Sequence, residues 1–199
     1  MINYLRFKFI RHCISILLVF SVGNSCNDTS NIDHTKNTIS TRIGSITAQT
    51  DAELLVEVAE ISLEEIKLGQ LAQRNGQVMD IRELGKRLEK AHGEYLETLK
   101  ELGRKKLVIL PLTLNGKAQH LFEKLQKMPK NAFDKAYCHQ TVAAHRQAIR
   151  KFEAIVQNNN DADIKQWGDL TLKGLQAQLS YAEMYLRKFE KKKVEVAQT

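Results

Sequence analysis

The chain has 199 residues, a formal net charge of +7, three cysteines and two prolines. Removing a basic leader that holds Arg6, Lys8 and Arg11 lowers the charge to +4, too mild to point to nucleic acid. A single cysteine, Cys138, then remains inside the body of the chain, so no internal disulfide is available and the fold must rely on its core.

The leader has three zones. Arg6, Lys8 and Arg11 are followed by an apolar run from Cys13 to Val22, then by Gly23-Asn24-Ser25 before Cys26. That is the layout of a secretory signal. The run is about half of the roughly 20 residues a membrane-spanning helix needs. Val22 to Cys26 resembles a lipobox, with Cys26 as the lipidated residue; an ordinary cleaved signal is the alternative. The expected organisation is a signal over 1–25, a lipidated cysteine with a flexible tether over 26–50, a helical domain over 51–193 and a tail over 194–199. The tether is rich in Asn, Thr and Ser and carries no helical stripe. As a flexible chain it would reach on the order of 25–30 Å. The expected address is the cell envelope, either an outer-membrane lipoprotein or a periplasmic protein. Its expected partner is the membrane, through the anchor; no nucleic acid is expected.

From Asp51 the apolar residues recur at helical spacing. The first helix is predicted over 51–75, with Leu54, Val58, Ile61, Leu68 and Ala72 on one seam and Asn75-Gly76 as its end. The second covers 78–105, with Ile81, Leu84, Leu88, Tyr95, Leu99 and Leu102. Pro111 breaks the segment 107–114. A short helix follows over 116–127, then long helices over 131–157 and 162–192, the last facing inward through Leu172, Leu175, Leu179, Ala182 and Leu186. Asp161 is expected to cap that last helix. The fold class is all-α: an antiparallel four-helix bundle with an extra short helix between the second and third long helices.

Several polar residues fall on these apolar stripes. Glu65 lies in the first seam, and a carboxylate there must be paired, protonated or metal-bound. His92 lies between Leu88 and Leu96, with Glu89 three before it. A Glu-x-x-His step puts both groups on one helix face and recurs in di-metal bundles. Asp134 and His145 are eleven residues apart, so they share a face about 16 Å apart and cannot bind the same ion. Gln178 follows Leu175 on the last helix. Glu65, Glu89 and His92 are the candidate metal ligands, suited to iron, manganese or zinc. An ordinary buried hydrogen bond between Glu65 and His92 explains the same pattern. No Gly-x-Ser-x-Gly elbow or glycine-rich phosphate loop supports hydrolase or nucleotide chemistry.

Glu65-Ile66-Lys67-Leu68-Gly69, His92, and Ala132-Phe133-Asp134-Lys135-Ala136-Tyr137 with Val142-Ala143-Ala144-His145 resemble a family of exported bacterial proteins. It is a domain-of-unknown-function family, number 4142, described as ferritin-like and often labelled "predicted outer membrane protein". The resemblance runs over roughly residues 51–187. It implies a ferritin-like four-helix domain outside the cytoplasm and no particular reaction. The family's polar residues map to Glu65, His92, Asp134, Tyr137 and His145. Two positions depart: Ala91 stands where an acidic residue is usual, and Gln178 where a fourth-helix histidine is usual. The resulting expectation is a binding or structural module of the envelope and not an enzyme, with metal binding for storage or oxidant protection as the alternative.

Overall fold

The computed structural model describes the backbone of residues 29–197 and the side chains of residues 50–191. The signal segment and Cys26 lie outside the described residues. The chain divides into two units, with the boundary between Arg42 and Ile43. In the first, the described backbone is helical from Thr29. The bundle belongs to the second.

Five helices make up the described chain: α1 (Thr29–Asn75), α2 (Met79–Lys106), α3 (Gly116–Gln126), α4 (Lys130–Asn158) and α5 (Ala162–Ala197). No strand occurs among the described residues. The largest departure from expectation is at the start of α1. The helix is already present at Thr29, the first described residue and inside the stretch read as a tether, instead of starting near Asp51. Helix propagation is cheap once a nucleus exists, so a packed segment can template turns that have no apolar stripe of their own. At the other end α5 runs to Ala197, into the segment read as a tail.

Local chemistry sets the other boundaries. Asn115 caps α3 by accepting from the Ala118 N–H at 2.9 Å. Asp161 caps α5, accepting from the backbone N–H groups of Asp163 and Ile164. The start of α2 has no cap from its own N-cap residue, Val78. Asp134, brought from α4, supplies it: its carboxylate accepts from the Gln77 N–H at 2.9 Å and the Val78 N–H at 3.0 Å. This buried aspartate therefore serves a neighbouring helix and not its own. Leu107 closes α2 in the left-handed region at φ 58°, and the Val108 N–H reaches back to the Gly103 carbonyl.

The contacts fix the topology. Gly69 and Gly85 face each other between α1 and α2, and Gln70 and Gln73 of α1 reach Glu89 of α2. On α2 and α5, Asp80 pairs with Lys188 and Thr98 with Trp167. On α4 and α5, Arg146 pairs with Glu183, and Gly168 packs on Ile155. On α1 and α4, Glu57 pairs with Lys151 and Glu65 lies by His145. Each of these four pairs is antiparallel, so α2 and α4, consecutive long helices, run the same way. Residues 107–129, including α3, cross the length of the bundle to join them. One long crossover of this kind is the ferritin-like connection.

The core lies between the four long helices. Leu68, Leu84, Leu88, Phe133 and Tyr137 fill one half; Leu55, Leu99, Phe152, Ile164 and Leu175 fill the other. The seam of α1 is rotated slightly from its predicted position. Leu55, Ala59 and Ser62 are buried, while Leu54 and Ile61 are half-buried.

Candidate metal centre

The two halves of the core meet at a polar layer. Glu65 of α1, His92 of α2 and His145 of α4 are all buried, at 2, 2 and 1% exposure. One ligand atom from each lies within 4.8 Å of the others. The approach of α1 to α2 makes this meeting possible. A Cβ at Gly69 would sit 2.6 Å from the Gly85 carbonyl oxygen, and one at Gly85 would sit 2.6 Å from the Gly69 oxygen. Only glycines allow two backbones so close. Glu65 lies one turn before Gly69 and His92 two turns after Gly85, so the glycine contact sets the level at which the two side chains meet.

His145 is held from two sides. Its Nδ1 lies 2.9 Å from the Thr141 carbonyl oxygen, one turn earlier on α4. Its Nε2 lies 2.9 Å from Gln178 Oε1, and the Gln178 amide donates to the Tyr95 hydroxyl at 3.1 Å. A neutral imidazole has one N–H, so it donates to one of these two carbonyl oxygens and not to both. If the proton sits on Nε2, bonded to Gln178, the Nδ1 lone pair faces the Thr141 carbonyl oxygen, and a ligand ion must replace that contact. That nitrogen is 4.0 Å from Glu65 Oε1.

The remaining atoms of the layer make no well-formed hydrogen bond, although Gln178 lies near the His92 ring and Thr141 near the Tyr137 hydroxyl. Both ring nitrogens of His92, Oε2 of Glu65 and the Tyr137 hydroxyl are buried without a hydrogen bond among the described residues. His92 instead meets the rings of Tyr95 and His145 edge-on, at centroid distances of 5.4 and 5.6 Å. Each unsatisfied buried polar group costs about 1–3 kcal/mol.

Burial dominates the electrostatics. It raises the Glu65 carboxyl to about 7, against a lowering pull from His145. It lowers His92 to about 3, assisted by His145 and opposed by Gln178. It lifts the Tyr137 hydroxyl well above its ordinary value, with Glu65 adding to the rise. His92 is thus neutral at physiological pH, with a lone pair available for coordination.

A stability measurement checks the Glu65 shift. Its folded pKa lies above its ordinary 4.5. The folded state therefore holds a proton that the unfolded state releases, and its contribution to stability is lost as pH rises from 4.5 to about 7. His92 has the opposite sign: its folded pKa is below its ordinary 6.5, so stability is lost as pH falls through that range. Between about 4.5 and 6.5 the two slopes oppose each other. Glu65→Gln removes one of them. In urea denaturation without metal, the stability of the wild type relative to Glu65→Gln is expected to fall by about 3 kcal/mol between pH 4.5 and 7. A constant difference between the two proteins would refute the shifted carboxyl.

Of the residues singled out from sequence, Glu65 and His92 come together as expected. Glu89 does not join them. It lies half-buried on the flank of α2 facing α1, accepting from Gln70 at 2.8 Å and Gln73 at 2.6 Å. The Gln73 bond, followed by that from Gln70, holds its carboxyl below the usual range. A three-residue step turns the helix about 300°, and the 60° shortfall puts Glu89 on a different neighbour from His92. His145 takes its place in the cluster. Tyr137 lies in the same layer, stacked on Phe133, while Asp134 stays at the far end as the α2 cap. Cys138 is buried, and burial pushes its thiol up to about 12, so it offers no ready thiolate. Buried Ser62 and Thr171 had no place in the sequence reading.

The fold and the site together define a ferritin-like helical bundle with two imidazoles and one carboxylate in its core. The family model described as domain of unknown function (DUF4142) matches residues 40–184. The chain belongs to this family. No curated protein and no solved structure matches it.

Proposed function

We propose that this protein is a metal-binding bundle of the bacterial envelope, holding one divalent ion, zinc, iron(II) or manganese(II), between Glu65, His92 and His145. The observation that carries the reading is the coincidence of two features in one buried layer. Three ligand side chains from three helices converge within 4.8 Å, and neither His92 nor Glu65 Oε2 makes a well-formed hydrogen bond there. An ion would satisfy these atoms at once. Two histidines with one carboxylate is a recurring set for catalytic zinc and for non-haem iron. Metal–ligand bonds of about 2.0–2.1 Å put tetrahedral ligands roughly 3.3 Å apart. The cluster must therefore contract by about 1–1.5 Å, within reach of side-chain rotation.

Binding at Nδ1 of His145 would replace its contact with the Thr141 carbonyl oxygen and leave its Nε2–H on Gln178. Such a bond orients a ligating histidine and fixes its tautomer. Gln178 then supports the site in place of the histidine more usual there. The set supports one ion and not two, because no second group of ligands gathers among the described residues. The proposed role is sequestration or protection from oxidants.

The address is read from residues 1–26, with Cys26 as the lipid anchor. Elemental analysis of protein purified from its envelope fraction tests both parts. The expected result is near-stoichiometric metal in the wild type, none in His92→Ala, and release from the membrane fraction in Cys26→Ala. Metal-free wild type that takes up no added zinc, iron or manganese would refute the function. A Cys26→Ala protein still in the membrane would refute the anchor.

A further inference from the structure

An ion held in a layer this buried needs a way in. One surface depression among the described residues includes a residue of the cluster. It is a groove of about 640 Å³ between α1, α3 and α4, and Glu65 is part of its lining. The α1 wall carries Glu57, Glu60 and Glu64, spaced three and four apart on one helix face. The α4 side is lined by the small Ala143 and Ala144. Resting on the reading of Glu65, His92 and His145 as a metal site, we propose that this groove is the entry route for the divalent cation, with Glu60 and Glu64 drawing it from solvent to Glu65.

The dimensions permit it. At about 30 Å³ per water, an ion with six waters needs roughly 200 Å³, and the groove holds three times that. The wall charges have the required sign on α1. Glu57 is engaged by Lys151, and Glu60 accepts from the Asn115 amide at 2.9 Å. Glu64, adjacent to Glu65 in the chain, is half-buried in the same wall. Lys117, His120 and Lys124 on α3 form the other wall. The two lysine charges favour passage along α1. Glu65 joins the two parts: it is 2% exposed, lines the groove and carries the unpartnered Oε2.

The test is the rate of cobalt(II) uptake by the full mature protein in detergent, followed by absorbance in a stopped-flow instrument, alongside equilibrium affinity. Two variants are compared with wild type: Ala143→Trp, which obstructs the groove from an exposed position, and the double variant Glu60→Gln/Glu64→Gln. A blocked route slows entry and exit alike, so Ala143→Trp is expected to slow uptake about tenfold with Kd within about twofold. The double variant is expected to slow uptake about tenfold at low salt, with the difference shrinking as salt rises. Wild-type uptake rates in both variants, with normal equilibrium binding, would overturn the route and leave the metal site standing. No cobalt bound by the wild type at equilibrium would overturn both.

Discussion

Zinc, iron(II) or manganese(II), whichever ion the site holds, is expected to raise the melting temperature of the metal-free protein by roughly 5–10 °C when supplied at 100 times its Kd. Mass action at that ratio gives about 2.7 kcal/mol, and a domain of this size shifts by about 2–4 °C per kcal/mol. His92→Ala and His145→Ala are expected to abolish the rise. Without metal these variants should differ from each other. His145→Ala breaks the contacts to Thr141 and Gln178, so it is expected to destabilise the protein. His92→Ala removes two unpartnered nitrogens, which offsets part of the cavity it leaves. Tyr137→Phe removes an unpartnered hydroxyl and is expected to be near neutral. A melting temperature that ignores all three metals would mean that the polar layer serves packing alone. Thermal denaturation of metal-stripped protein with and without each ion makes the measurement.

Gly85→Val is expected to cost about 3 kcal/mol or more, the largest effect of any single substitution considered. Its Cβ would meet the Gly69 carbonyl oxygen at 2.6 Å and the Ala72 Cβ at 2.7 Å. Neither atom is the end of a flexible side chain, so α1 and α2 must move apart. Gly93 on the same helix has nothing within 4 Å of an added Cβ. Gly93→Ala is therefore expected to be harmless, and to gain slightly from helix propensity. Chemical denaturation of both variants checks the pair. Similar losses would mean that the close crossing does not set the bundle. Because that crossing also sets the level of Glu65 against His92, metal affinity should fall in Gly85→Val even where the fold survives.

Much of this architecture was legible in the sequence, because apolar spacing and helix-ending residues act over one or two turns. The four long helices, the short α3, the Asp161 cap and the burial of Leu68, Leu88, Glu65, His92 and His145 all follow from such local signals. What was not legible depends on which helix faces which. The pattern around Glu89 is the same whether it turns toward His92 or toward Gln70 and Gln73; only the packed bundle decides. Asp134 reads as an N-terminal residue of its own helix until the crossover places it beside Gln77 and Val78. His145 was recognisable as a polar residue on an apolar stripe. Its meeting with Glu65 needed α4 to lie beside α1, and 79 residues of intervening chain conceal that. The helical stretch before Asp51 was not legible for another reason: composition reports the burial a segment can achieve, not the turns that the packed remainder of the same helix can propagate into it.

The polar layer draws on all four long helices: Glu65 from α1, His92 and Tyr95 from α2, His145 from α4 and Gln178 from α5. No pair of helices can build it alone, and a partly opened bundle loses it entirely. A retained ion is then a reporter of complete assembly. In hydrogen-exchange terms, it would raise protection across all four helices together and merge separate opening units into one cooperative block. The bundle would then open all at once or stay closed.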